Sequence, residues 1–159
     1  MRIIDALRDA DVRFLVVGGV AVVLHGHPRM TADLDLVVDL QRDNLQRALA
    51  ALGELGLQPR LPVRAEQFAD PELRRQWVEE RNLMVFSMHD PTDPRREVDI
   101  FASLPFPWKE MHADAIEIVV GSTVIPVVGR HHLISMKRQA GRAQDLADIE
   151  VLTRLEGGD

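Results

Sequence analysis

Apolar residues recur along this chain in two rhythms. Ile3, Ile4 and Leu7 fall at helical spacing over residues 2–10, and Leu45, Leu49, Leu52 and Leu55 repeat over residues 42–55 until Gly56. Each set is the stripe of a helix that buries one face. Between them the rhythm changes. Phe14-Leu15-Val16-Val17 is a short, β-branched run, the pattern of a buried strand. Gly18-Gly19 breaks it, and Val20 to His25 reads as a short buried helix ending near Gly26. After the loop His27–Thr31, residues 33–39 alternate acid and apolar, Asp33-Leu34-Asp35-Leu36-Val37-Val38-Asp39, which predicts a second strand.

Gln58 to Phe68 carries two prolines and no clean period. Asp70 before Pro71 predicts a capped helix over residues 71–82. Leu83–Met88 and Glu97–Phe101 read as strands flanking a turn at 90–94, a hairpin. Ala115–Val120 and Ser122–Val128 pair around Gly121-Ser122, and helices follow over residues 130–140 and 143–155, punctuated by Gly141. Helices interleaved with several hairpins predict an α/β (α+β) fold, a mixed sheet with helices on it.

The 159 residues suit one domain, organised as a core over 1–128 and a helical pair over 129–156. An apolar share of 46% with 28% charged residues is ordinary globular composition. Zero cysteines exclude disulfides, thiolate zinc sites and cysteine nucleophiles together. Lys+Arg of 19 against Asp+Glu of 25 leaves a net charge of −6, without the overall basic field of a protein that coats nucleic acid. The longest apolar or glycine run, Phe14–Leu24, falls short of the ~20 residues of a membrane span. The first residues lack signal-peptide shape. A soluble cytoplasmic protein without a membrane partner is expected.

Candidate chemistry concentrates between Gly18 and Asp35. A diglycine at a strand-to-helix junction allows a tight turn and presents free amides at the positive end of a helix, where phosphate sits well. Taken alone, the pair is more simply a steric turn. Asp33 and Asp35 are i and i+2 on a strand, so both carboxylates face one side, about 7 Å apart at Cα. Like charges so placed repel unless a cation lies between them, and such oxygen sites suit Mg²⁺ or Mn²⁺. The alternative is a solvated strand edge. Asp99, between Val98 and Ile100, is the candidate third carboxylate, although Glu97 on the same face fits an exposed row as well. Asp39 falls where it would cap the next helix.

The tail adds a separate signal. Arg130, Lys137, Arg138 and Arg142 occur over residues 130–142 without one acid, and Lys137 falls inside the apolar stripe of Leu133, Met136 and Ala140. An ammonium there either snorkels outward or reaches into a cleft. Asp145 lies within the stripe of Leu146, Ile149 and Leu152, where a helix cap would also place it. The six histidines lack zinc spacing, and Ser87, Ser103, Ser122 and Ser135 lie in no nucleophile-elbow context.

Val17-Gly18-Gly19 followed at Asp33-Leu34-Asp35-Leu36 resembles the motif of minimal nucleotidyltransferases of the DNA polymerase β-like superfamily, including the bacterial type associated with toxin–antitoxin and abortive-infection systems. The tail from Lys137-Arg138-Gln139-Ala140-Gly141-Arg142 to Asp145-Leu146-Ala147-Asp148-Ile149 is similar to the C-terminal helical signature of small members. The resemblance implies a polymerase β-like core with two C-terminal helices. It implies that Asp33, Asp35 and Asp99 are catalytic and hold Mg²⁺ or Mn²⁺, with Asp99 assisting deprotonation of an acceptor hydroxyl. It also implies that Gly18 and Gly19 cradle the triphosphate of an NTP, ATP foremost. Many relatives carry Ser where this chain has Gly19, so Thr31 is the candidate replacement hydroxyl. Arg29 and Lys137 are candidate partners of the triphosphate. The expected reaction transfers a nucleoside monophosphate to an RNA 3′ end, a protein or a small molecule, with a mild tilt to a macromolecule. A toxin–antitoxin partner is expected beside it. The competing readings are a catalytically silent, antitoxin-like binding subunit and a nucleotide-sensing domain.

Overall fold

The computed structural model describes residues 2–156. Helix α1 (Arg2–Asp9) precedes β1 (Phe14–Val17), all four of whose residues are buried. Helix α2 (Gly18–Leu24) follows without a break. The helix therefore begins two residues earlier than the apolar pattern indicates, and the diglycine forms its first turn. Strand β2 (Leu34–Val38) leads to α3 (Arg42–Glu54), the amphipathic helix of the leucine repeat. Asp39 does not cap it: Gln41 is the N-cap, while Asp39 pairs with Arg13 Nε at 2.8 Å. Buried Asn44 then ties the start of β1 to the end of β2, bonding the Arg13 backbone and the Asp39 carbonyl.

The segment without a period holds a two-residue strand β3 (Gln58–Pro59) and a 3₁₀ turn (Ala65–Ala69). Its organising residue is Phe68, fully buried and stacked on Phe86 with ring centroids 4.4 Å apart. In α4 (Pro71–Arg81), the Asp70 carboxylate accepts from the Glu72 amide at 2.9 Å, and Asn82 closes the helix in the left-handed region. Strand β4 (Val85–Asp90) begins and ends two residues later than the sequence pattern predicts, β5 (Asp93–Phe101) is longer, and the turn between them is tighter. Asp90 explains this. Its carboxylate accepts from the Thr92 amide at 2.8 Å and pairs with Arg96 at 2.6 Å, so the acid that reads as a turn residue locks a strand end.

A short helix α5 (Trp108–Asp114) buries only Met111 and leaves no periodic signal. The hairpin β6 (Ile116–Val120) and β7 (Thr123–Val127) is followed by α6 (Arg130–Ala140) and α7 (Ala143–Glu156). All seven strands join one mixed sheet in the order β3-β4-β5-β2-β1-β7-β6. β1 runs parallel to β7 and antiparallel to β2; β2 runs parallel to β5. Val16, Leu36, Val98 and Ile100 are completely buried on one face of the central strands. Their neighbours Asp35 and Asp99 point the other way because strand side chains alternate. Among the described residues no helix is long and apolar enough to cross a membrane.

Candidate active site

The parallel pairing of β2 and β5 sets Asp35 directly beside Asp99, and the antiparallel pairing of β4 and β5 sets Ser87 on the other side of Asp99. Val17, the last residue of β1, is the partner of Asp35 in the opposite direction. One row across four strands thus runs Val17, Asp35, Asp99, Ser87. Its two aspartates line a cleft of about 420 Å³ whose walls include Gly18, Lys137 and Arg142. Asp33 also lines this cleft, one residue before β2 begins.

Gly18 has φ +66°, and a Cβ built on it would lie 2.2 Å from Asp35 Oδ2. The carboxylate occupies the space a side chain would need. Gly19 is excluded differently: its Cβ would lie 2.3 Å from Thr31 Oγ1 and 3.1 Å from Arg29 Nη2. The loop that precedes β2 therefore folds its hydroxyl and guanidinium over the diglycine turn. No side chain caps the α2 N-terminus, so its first amides have no intrahelical partner.

Burial pushes the Asp35 carboxyl up to about 7, and the charges of Asp99 and Asp33 add to it, against the pull of Lys137 and Arg142. Asp33 is raised as well, first by burial, then by the charges of Asp99 and Glu97. Glu97 in turn pairs with Arg60. Among the described residues no three acidic or histidine side chains converge into a complete metal cage. The donor set nonetheless fits a divalent ion of the kind bound by one or two carboxylates and completed by substrate phosphates. Asp35 and Asp99 are neighbouring acids facing a cleft, and a cation between them would offset the burial and like charges that raise the Asp35 carboxyl.

The C-terminal helices build the opposite wall. Lys137 is 6% exposed and does not snorkel. Its Nζ donates to Asp145 Oδ1 at 3.2 Å and lies 3.0 Å from Asp148 Oδ2. Arg29 reaches the same Asp148 oxygen at 2.9 Å, and Gln144 donates to the other at 3.0 Å. Asp145 also accepts from the Arg142 amide at 3.1 Å and from its Nε at 2.7 Å. That backbone contact is the reciprocal half of a capping box, so the helix-cap reading of Asp145 captures part of its role. Burial pushes both aspartates up, but hydrogen bonds from Arg142 and Lys137 to Asp145, and from Lys137, Arg29 and Gln144 to Asp148, outweigh it and hold them below the ordinary value. Lys137 therefore lines the cleft with its charge already matched, and Arg29 is anchored to α7. Arg142, whose side chain is 76% exposed, is the cation of this wall that stays open to solvent.

All eight candidate residues thus gather at the cleft or the diglycine turn: Asp33, Asp35, Asp99, Gly18 and Lys137 line the cleft, and Thr31 and Arg29 pack against Gly19. Arg29 and Lys137 meet at Asp148. Sequence reasoning passed over Ser87 and gave Arg142 no site role. The spacing of Arg142 three residues before Asp145 was the available signal for the one; strand register, invisible in the sequence, was needed for the other.

Comparison with known proteins agrees with this geometry. The sequence matches the family described as nucleotidyl transferase AbiEii toxin, Type IV TA system, over residues 2–159. No curated protein matches it. The fold is similar to the antibiotic-resistance factor ANT(2'')-Ia, at 11% identity and TM-score 0.65 over 99% of this chain and 82% of the other. It is also similar to the lincosamide antibiotic adenylyltransferase LnuA in its lincomycin-bound form, at 15% identity and TM-score 0.60, over 94% and 90%. An antigenic nucleotidyltransferase-like protein from Paracoccidioides brasiliensis aligns at 16% identity and TM-score 0.55, over 96% and 72%. At such identities these likenesses speak for the fold. The family match carries the assignment: this chain belongs to the AbiEii nucleotidyltransferase toxins of Type IV toxin–antitoxin systems and is a nucleotidyltransferase.

Proposed function

We propose that the chain transfers a nucleoside monophosphate from an NTP, ATP foremost, to a hydroxyl acceptor, with Mg²⁺ or Mn²⁺ as cofactor. The acceptor oxygen attacks the α-phosphorus, the bond between that phosphorus and the bridging oxygen to the β-phosphate breaks, and pyrophosphate leaves. Asp35 and Asp99, with Asp33 beside them, would hold the metal, which neutralises phosphate charge when bound. Asp99 accepts the acceptor's proton. The amides of Gly18 and Gly19 and the hydroxyl of Thr31 receive the triphosphate. Lys137 and Arg29 contribute positive potential from their anchored positions, and the open Arg142 guanidinium faces the outer phosphates. Positioning and electrostatics of this kind supply most of phosphoryl-transfer catalysis.

The observation that supports this most is the in-register pair Asp35–Asp99 on adjacent parallel strands, facing a cleft walled by the diglycine turn. The acceptor belongs to one of three classes: an RNA 3′ end, a protein hydroxyl or a small molecule. An antitoxin is the binding partner this reading expects, in keeping with the family. Incubation with α-labelled NTPs, Mg²⁺ and cell extract tests the reading. Label transfer is expected to need the metal and to fall at least about 10²–10³-fold in Asp35→Ala and Asp99→Ala. Transfer that survives both substitutions in folded protein would overturn it.

A further inference from the structure

We infer that Ser87 is a positioning residue for Asp99, a role that rests on the metal-dependent reading of the cleft. Ser87 sits on β4 directly opposite Asp99 on β5. Its hydroxyl donates to Asp99 Oδ1 at 2.6 Å, the short distance of a charge-assisted bond. Among the described residues it is the one hydrogen-bond donor to that carboxylate. A serine has a single O–H. Given to Oδ1, that proton fixes the rotation of the carboxylate and leaves Oδ2 free for the cleft.

The carboxylate needs such a hold. Asp35 lies beside it on the parallel neighbour, and Asp33 adds a second like charge, so repulsion favours swinging Asp99 away. Ser87 is itself fixed. Its carbonyl accepts from the Arg60 amide at 3.0 Å, and the Arg60 guanidinium pairs with Glu97, two residues before Asp99 on the same face. Arg60 thus ties the strand that supplies the hydroxyl to the strand that supplies the carboxylate. Groups that orient metal-binding side chains in this way typically govern metal affinity by 10–100-fold.

Mn²⁺ binding to nucleotide-free protein, followed by calorimetry and electron paramagnetic resonance, reads this out without turnover. Ser87→Ala is expected to weaken Mn²⁺ by roughly tenfold or more, with an unchanged melting temperature, whereas Ser87→Thr keeps a hydroxyl and binds like the parent. At saturating Mn²⁺, Ser87→Ala should lower kcat and leave KM for the NTP unchanged. Binding of Mn²⁺ by Ser87→Ala within twofold of the parent, while Asp99→Asn loses it, overturns the role of Ser87 alone. Unchanged binding in both Ser87→Ala and Asp99→Asn overturns the metal reading of the cleft itself, and this role with it.

Discussion

The aspartates of the cleft and those of α7 form two sets, and burial pushes the carboxyls of both up. Asp145 and Asp148 on α7 are 1% and 0% exposed, deeper than Asp33 or Asp35, yet their pKa values lie below the ordinary range. Asp35, less buried, is pushed up to about 7. The difference is company. Asp145 and Asp148 share Lys137, and Arg142 and Arg29 close the network. Asp35 has acids for near neighbours and feels those cations only from a distance. One set is a finished structural unit that docks the helical pair on the loop before β2. The other is left short of positive charge, which is what the proposed metal and polyphosphate site requires.

If the α7 set is structural, removing one member leaves a buried charge without a partner. Asp148→Ala strands Arg29, leaves Lys137 with Asp145 alone, and should cost about 3–5 kcal/mol in urea unfolding. Replacing the three together, Arg29→Met and Lys137→Met with Asp148→Leu, should recover much of that, because well-packed apolar groups are often as stable as a buried ion triad and Asp145 keeps Arg142. A loss below about 1 kcal/mol for Asp148→Ala would place the network outside the folding core.

The cleft set should respond in the opposite sense, and pH separates them. Because the folded pKa of Asp35 lies above its unfolded value, the folded state keeps this proton longer. The stability it contributes is complete below about pH 4 and is lost as pH rises towards 7. Asp35→Asn imitates the protonated form. In chelator it should match the parent near pH 4 and exceed it by up to about 4 kcal/mol at pH 8. Mn²⁺ added at pH 8 should narrow that gap by stabilising the parent alone. Asp148→Ala should show the reverse trend, since a lowered pKa contributes stability above about pH 4 that disappears as the acid is protonated. Its deficit shrinks towards low pH while the Asp35→Asn advantage also vanishes. A parent protein that gains on Asp35→Asn with rising pH would break the comparison.

Much of this contrast was legible before the fold was known, and the illegible part has a common cause. Strand alternation alone put Asp33 and Asp35 on one side, and the apolar stripe of α6 singled out Lys137 as misplaced. What the stripe could not provide was the pair of partners on the next helix, eight and eleven residues away, because the turn at Gly141 decides which faces meet. Ser87 was invisible for the same reason: its importance lies in the register of β4 against β5. The 3₁₀ turn around Phe68 and the short helix α5 escaped because each buries only one or two side chains, too few to create a period. Local pattern reveals which residues are anomalous, whereas pairing reveals what answers them.

The two glycines extend the comparison to its smallest effects, since each abuts one of the regions. An alanine at Gly18 would combine a left-handed φ of +66° with contacts of 2.2 Å to Asp35 Oδ2 and 2.9 Å to its Cβ and Cγ. Relief would have to move β2 itself, so Gly18→Ala should destabilise by about 1–3 kcal/mol and abolish transfer by displacing Asp35. At Gly19 the backbone is unstrained, and the collision is mainly with Thr31 Oγ1 at 2.3 Å, the end of an exposed side chain that can rotate. Gly19→Ala should therefore cost less than about 1 kcal/mol, and Thr31→Ala in the same chain should remove most of the cost. A double-mutant cycle in urea measures this: strong coupling of residue 19 to Thr31 with none to Asp35 is expected, and equal coupling to both would mean that the two glycines serve one rigid wall.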